Sequence, residues 1–306
     1  MPKQKELDPA DFIEPLNMNG LQGRMLRLPA DKPGNTTEIL VVYGHHALIE
    51  RWWGLVQNFT AYGNVTMPDL PGFGGMDSFY KIGQKPTIDN LADYLASFIK
   101  WRYKRRKVVI AGISFGFVVA TRMLQRYPEL TKRVDLLVSA LGFARYDDFV
   151  FSKPRMFGYR LLSRTLSLPI ISKIFRIVAL NPWVLRTAYS HTHNAKKKFA
   201  SAKGRAEFDQ MMQMEVVLWH SNDVRTHNLT TYEFLNLDNC KKQVDLPVWH
   251  IGAKGDYYFD HKIVEQHMRI IFNDYHSMEL NLETHAPSVV ATKQESASFM
   301  PPSYAE

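Results

Sequence analysis

The sequence predicts an α/β protein: a mostly parallel, doubly wound sheet flanked by helices, with one inserted block of helices. Two observations carry that prediction. Short runs that are apolar throughout alternate with segments of helical spacing, the pattern of strands covered on both faces. The alternation stops after Ala140 and resumes only at Pro247, with no strand-like run between about Asp147 and Asp238.

Each element has its own signal. Residues 38–43 (EILVVY) form a β-branched apolar run that ends at Gly44. Residues 48–59 have helical spacing, and Gly63-Asn64 leads into a strand at 65–67. The turn-rich stretch DLPGFGGMDS follows. Residues 87–103 repeat apolar positions at Ile88, Leu91, Tyr94, Leu95 and Phe98, with Thr87 as a start signal. Residues 107–113 are the next strand, 117–127 a helix stopped by Pro128, and 134–140 a further strand. After the gap come a strand at 247–251, a helix at 262–272, a strand at 277–282 and a last helix from about 287 to 300. The economical division is one sheet domain, residues 1–146 and 239–306, with a helical insertion at 147–238.

Composition narrows the function classes. The N-terminal MPKQKELDPADF has no apolar stretch after its lysines, so no secretory leader is expected. No apolar segment approaches the ~18 residues that span a bilayer. The single cysteine, Cys240, excludes an internal disulfide framework and a multi-cysteine zinc site and fits a reducing, cytoplasmic setting. The formal charge of +8 resides in one stretch: residues 151–236 hold 13 Lys and Arg against five acids. Such asymmetry suggests that this stretch meets something anionic. WRYKRRK (101–107) mixes aromatic and basic residues, but it sits at a helix end where cations are favoured, so nucleic-acid binding is not expected.

The chemistry collects at strand ends, as it does in open α/β sheets. The strand at 107–113 runs into Gly112-Ile113-Ser114-Phe115-Gly116 and then a helix. A sharp strand-to-helix turn exposes the serine hydroxyl and needs small neighbours two residues away. A serine needs a base, and the base an orienting acid. Asp256 follows the strand at 247–251 and His285 follows the strand at 277–282, giving Ser, Asp and His in chain order. Asp260, Asp147 and Asp148 compete for the role of acid.

These pieces, VVYGHHA, DLPGFGG, GISFGF and the GAKGD…ETHAP pair, resemble the α/β-hydrolase fold superfamily over essentially the whole chain outside the insertion. The resemblance implies Ser114 as nucleophile, His285 as general base and Asp256 as its orienting acid. It also implies an oxyanion hole from the backbone N–H groups of His45 and Phe115, with no metal or organic cofactor. Tyr43 stands where the family more usually has histidine. DLPGFGG reads as structural, and residues 147–238 take the place of the family's lid or cap. The expected substrate is a small-molecule carboxylic ester with a medium or long apolar acyl group. Carbon–carbon, thioester or amide hydrolysis on the same residues and a non-catalytic ligand-binding role are alternatives. Serine at the turn, not aspartate, disfavours haloalkane dehalogenase and epoxide hydrolase chemistry.

Three further features of the insertion have plainer readings. His191 and His193 have no acidic or cysteine partner nearby, so they read as a polar helix end. Met211, Met212 and Met214 read as core packing, or as a flexible apolar pocket wall. The apolar and basic residues of 156–185 suit a cap packed on the sheet domain. They also suit peripheral contact with an anionic membrane, or an anionic substrate drawn in by the field.

Overall fold

The computed structural model describes residues 7–191, 204–282, 285 and 292–300. His193, Lys196 to Lys198, Lys203 and the first part of the expected last helix lie outside the described residues.

Eight strands form one sheet: β1 (Ile13–Met18), β2 (Leu21–Leu28), β3 (Glu38–Val42), β4 (Asn64–Pro68), β5 (Val108–Ile113), β6 (Val134–Ala140), β7 (Val248–Ala253) and β8 (Tyr275–Leu280). Their order is β1-β2-β4-β3-β5-β6-β7-β8. From β4 to β8 all pairings are parallel, while β1–β2 and β2–β4 are antiparallel. Strand β3 is buried throughout and β5 almost so, because helices cover both faces of the sheet centre.

The hairpin β1–β2 is an addition to the sequence reading. Met18 pairs with Leu21 across Asn19 and Gly20, whose φ values of 52° and 80° suit a two-residue hairpin turn. The strand expected at 277–282 begins two residues earlier, at Tyr275. As an edge strand it is buried mainly at Tyr275, so its apolar pattern is weak.

The flanking helices are α1 (Trp53–Phe59), α2 (Ile88–Arg102), α3 (Phe115–Arg126), α9 (His261–Ile271) and the short α10 (Lys293–Ser296). Between β6 and β7 lie α4 (Lys153–Leu166), α5 (Pro169–Val178), α6 (Pro182–His191), α7 (Arg205–Ser221) and α8 (Val224–Phe234). No strand interrupts that segment among the described residues. Met211 and Met212 of α7 are buried with Leu48 and Leu218, a local core. The expected helix at 48–59 is a short 3-10 turn, Ile49–Trp52, followed by α1. The basic stretch at 101–107 is partly neutralised locally, for Arg106 pairs with Glu38 and Lys107 with Asp135.

Candidate active site

The site forms where β3, β5, β7 and β8 end. Ser114 follows β5 and is the N-cap of α3, with φ 48° and ψ −114°, a conformation that costs a non-glycine residue of order 1–3 kcal/mol. The flanking glycines make this turn possible. A methyl group on Gly112 would lie 2.5 Å from Phe117 Cα, and one on Gly116 would lie 2.0 Å from the Val42 carbonyl oxygen. The elbow is therefore wedged between β3 and its own helix.

His285 lies across from the serine. Its Nε2 is 3.1 Å from Ser114 Oγ, and its Nδ1 is 2.7 Å from Asp256 Oδ2. A carboxylate only accepts, so Nδ1 carries the hydrogen and the Nε2 lone pair faces the hydroxyl. The Asp256 side chain is fully buried; its Oδ1 accepts the Tyr258 N–H at 2.8 Å, which fixes the carboxylate plane. Tyr258 and Phe259 set ring edges or faces 5.2 and 5.3 Å from the imidazole.

The other candidate acids are engaged elsewhere. Asp148 is buried and bonds His267 Nδ1 at 2.6 Å while accepting the Ala144 and Arg145 amides; burial pushes its pKa up against those bonds. Asp147 forms an ion pair with Arg145 at 3.1 Å. Asp260 caps α9 through the Lys262 and Ile263 amides. Asp147, Asp148 and His267 bring three ligand-type atoms together, and their bonds tie the start of the inserted segment to α9.

The loop after β3 runs alongside the serine: a methyl group on Gly44 would lie 3.4 Å from Ser114 Cβ. His45 follows, and Phe115 opens α3, so its amide has no intrahelical acceptor. The His45 ring turns toward α8, with Nε2 3.1 Å from the His227 carbonyl and 2.9 Å from Thr230 Oγ1. Because a carbonyl only accepts, Nε2 carries the hydrogen. Desolvation and the neighbouring His227 hold His45 well below the usual histidine range, so the ring stays neutral.

Tyr43 has a structural task. Its buried hydroxyl donates to Asp69 Oδ1 at 2.9 Å and accepts the Leu70 amide at 2.9 Å. Asp69, the first residue of DLPGFGG, also accepts from Arg24 Nε at 2.7 Å, and Arg24 grips Glu50. Burial pushes Asp69 up to about 7 against the pull of Arg24. This buried network ties β2, β3 and the loop after β4 together behind the site.

An aromatic wall was not anticipated from the sequence. Phe259, beside His285, stacks on Phe143 at 4.7 Å and meets Phe149 at 4.8 Å. Phe149 faces Phe234 at 5.8 Å, and Phe234 reaches Phe115 at 5.9 Å and His45 at 5.1 Å. The rings thus connect the histidine side of Ser114 to the His45 side. The clustering of phenylalanine in FARYDDFVF and DYYFD was the available signal.

No sequence-family model matches the chain, and no curated protein matches it in sequence. Solved structures do match in backbone. A thermophilic esterase from Thermogutta terrifontis superposes with a TM-score of 0.61 at 15% identity, covering 94% of this chain and 94% of that one. An esterase from Exiguobacterium antarcticum gives 0.63 at 15% identity, covering 88% and 90%. The epoxide hydrolase CorEH gives 0.60 at 13% identity, covering 94% and 95%. With its sheet order, its elbow after β5 and these neighbours, the chain has the α/β-hydrolase fold.

Proposed function

We propose that the chain is a serine hydrolase that cleaves carboxylic esters with an apolar acyl group. The observation that carries this reading is the contact series Ser114 Oγ to His285 Nε2 to Asp256, at 3.1 and 2.7 Å, on a strained strand-to-helix turn. An epoxide hydrolase shares the backbone, so the fold does not choose the chemistry. The serine at the elbow favours acyl transfer.

In that reaction Ser114 Oγ attacks the acyl carbon while its proton passes to His285 Nε2. The Nδ1 hydrogen stays on the imidazolium, held by Asp256. The backbone amides of His45 and Phe115 take the oxyanion, each worth on the order of 3 kcal/mol. Collapse breaks the ester bond, and the leaving alcohol takes the proton from His285. Water then attacks the acyl-enzyme, gives its proton to His285, and the acid leaves as Ser114 regains its hydrogen.

The aromatic wall favours an apolar acyl group, because the rings nearest the triad, with half-buried Phe234 among them, offer no polar partner. Residues 147–238 act as a cap in this reading, through the His45 bonds to α8 and the place of Phe234 in the wall. A fluorophosphonate probe should label the native chain and leave Ser114→Ala blank. Failure of the folded protein to label overturns the assignment. A p-nitrophenyl ester series should peak at medium or long acyl chains, and a peak at acetate contradicts the apolar pocket.

A further inference from the structure

The helices between β6 and β7 carry a surface that the proposed chemistry does not use. Most exposed large apolar side chains among the described residues lie between Val150 and Trp183. On α5, Ile170, Ile174 and Ile177 recur at helical spacing to form one stripe, and they are 73%, 57% and 75% exposed. Ser172, on the opposite side of the same helix, is buried. The isoleucine stripe therefore faces solvent, while Ser172 and the half-buried Phe175 face the protein. Phe157 and Leu161 on α4 and Trp183 on α6 extend the exposed apolar surface. A patch of this kind on an isolated domain marks something that covers it.

The charges around it say what that is. Lys153, Arg155, Arg164, Lys173, Arg176 and Arg186 are all exposed on these three helices. From residue 149 to residue 206 the sequence holds no Asp or Glu at all. Among these cations, Arg155 donates to the Tyr159 hydroxyl and Arg176 to the His220 carbonyl, both neutral groups. An ordinary solvated face mixes both signs, whereas apolar stripes edged by cations alone match the boundary of an anionic bilayer. No helix among the described residues is long and apolar enough to cross a membrane, so contact is with the surface.

We propose that the outward face of α4, α5 and α6 docks on an anionic lipid bilayer, with Ile170, Ile174, Ile177 and Trp183 entering the interface and the flanking cations meeting headgroups. Docking of this kind does not depend on Ser114 chemistry, and the two are tested separately. The full chain carrying Ser114→Ala is floated with phosphatidylcholine vesicles, with and without phosphatidylserine, at low and high salt. It should float with the phosphatidylserine vesicles only, and lose them at high salt. Each lost cation should weaken binding about 5-fold, so K173E with R176E should weaken it by at least ~25-fold. Ile170→Ser with Ile174→Ser should weaken it at unchanged charge and native circular dichroism, and the same pair in the chain that keeps Ser114 should leave hydrolysis of a soluble ester unchanged. Flotation that is absent, or indifferent to phosphatidylserine, overturns the proposal. So does a dimer in sedimentation that Ile174→Ser converts to monomer, which would assign the face to a second copy of this chain.

Discussion

Replacing Gly116 with alanine tests how the elbow is held. The new methyl would stand 2.0 Å from the Val42 oxygen, 2.6 Å from the Val42 carbonyl carbon and 2.6 Å from the Tyr43 oxygen. Close carbon–oxygen contacts sit near ~3.3 Å, so the end of β3 and the start of α3 must part by about 1 Å. Backbone atoms cannot rotate out of the way as a flexible side chain does. Overpacking of this order costs about 1–3 kcal/mol of stability. The kinetic cost is larger in proportion, because the parted segments carry the His45 and Phe115 amides proposed to hold the oxyanion. A misplacement of ~1 Å lowers kcat about 100-fold. The assay is kcat and KM for a p-nitrophenyl ester with thermal unfolding of the same preparation. Gly158→Ala serves as control, since a methyl there meets nothing within 4 Å and α4 should gain up to ~1 kcal/mol. Native kcat in Gly116→Ala would refute the wedged-elbow account, as would an equal loss in the control.

How much of this could be read from residues alone depends on how many sequence positions each feature needs. The central strands were legible because burial on both faces writes one unbroken apolar run, as in β3 and β5. The hairpin β1–β2 was not. β1 is an edge strand with Pro15 inside it and only Leu16 and Met18 buried, so its alternation is short and faint. The Asn19-Gly20 pair between the two strands was the stronger signal, and it went unused. Ser114 and His285 were picked out by position, Ser114 directly after β5 and His285 in the loop that follows β8. For the acid the sequence favoured Asp256 through the resemblance, although Asp147, Asp148 and Asp260 are chemically alike and also follow strands. In the structure Asp256 lies 2.7 Å from His285, whereas Asp148 bonds a different histidine, His267. The aromatic wall was harder still. Its rings come from α3, the loop after β6, α8 and the loop after β7, and each one read singly is ordinary core.

Two further predictions separate chemistry from stability. Asp256→Asn leaves a side chain that cannot accept the Nδ1 hydrogen and the Tyr258 amide equally well, so kcat should fall by up to ~10⁴-fold with unfolding little changed. Asp148→Ala should do the reverse, orphaning His267 and two amides at a cost of roughly 3 kcal/mol or more while the folded fraction still labels with fluorophosphonate; if it is Asp148→Ala that abolishes labelling of folded protein, the acid has been misassigned. The last prediction concerns pH. His250 is 4% exposed and bonds Ser139 at 2.9 Å, and burial pushes its pKa down to about 3. An unfolded histidine titrates near ~6.5, so below that value the unfolded chain binds the extra proton. The stability that His250 contributes is complete above pH ~6.5 and is lost as pH falls toward ~3, at about 1.4 kcal/mol per unit. Between pH 7 and pH 5 that is roughly 2 kcal/mol. His250→Gln keeps hydrogen-bonding capacity without a proton to gain, so urea unfolding should show it losing ~2 kcal/mol less than the native chain over that interval. Carboxylates such as Asp69 titrate in both proteins and cancel in the comparison. Equal losses in the two proteins would mean that His250 is protonated in the folded state, with its burial offset by a partner.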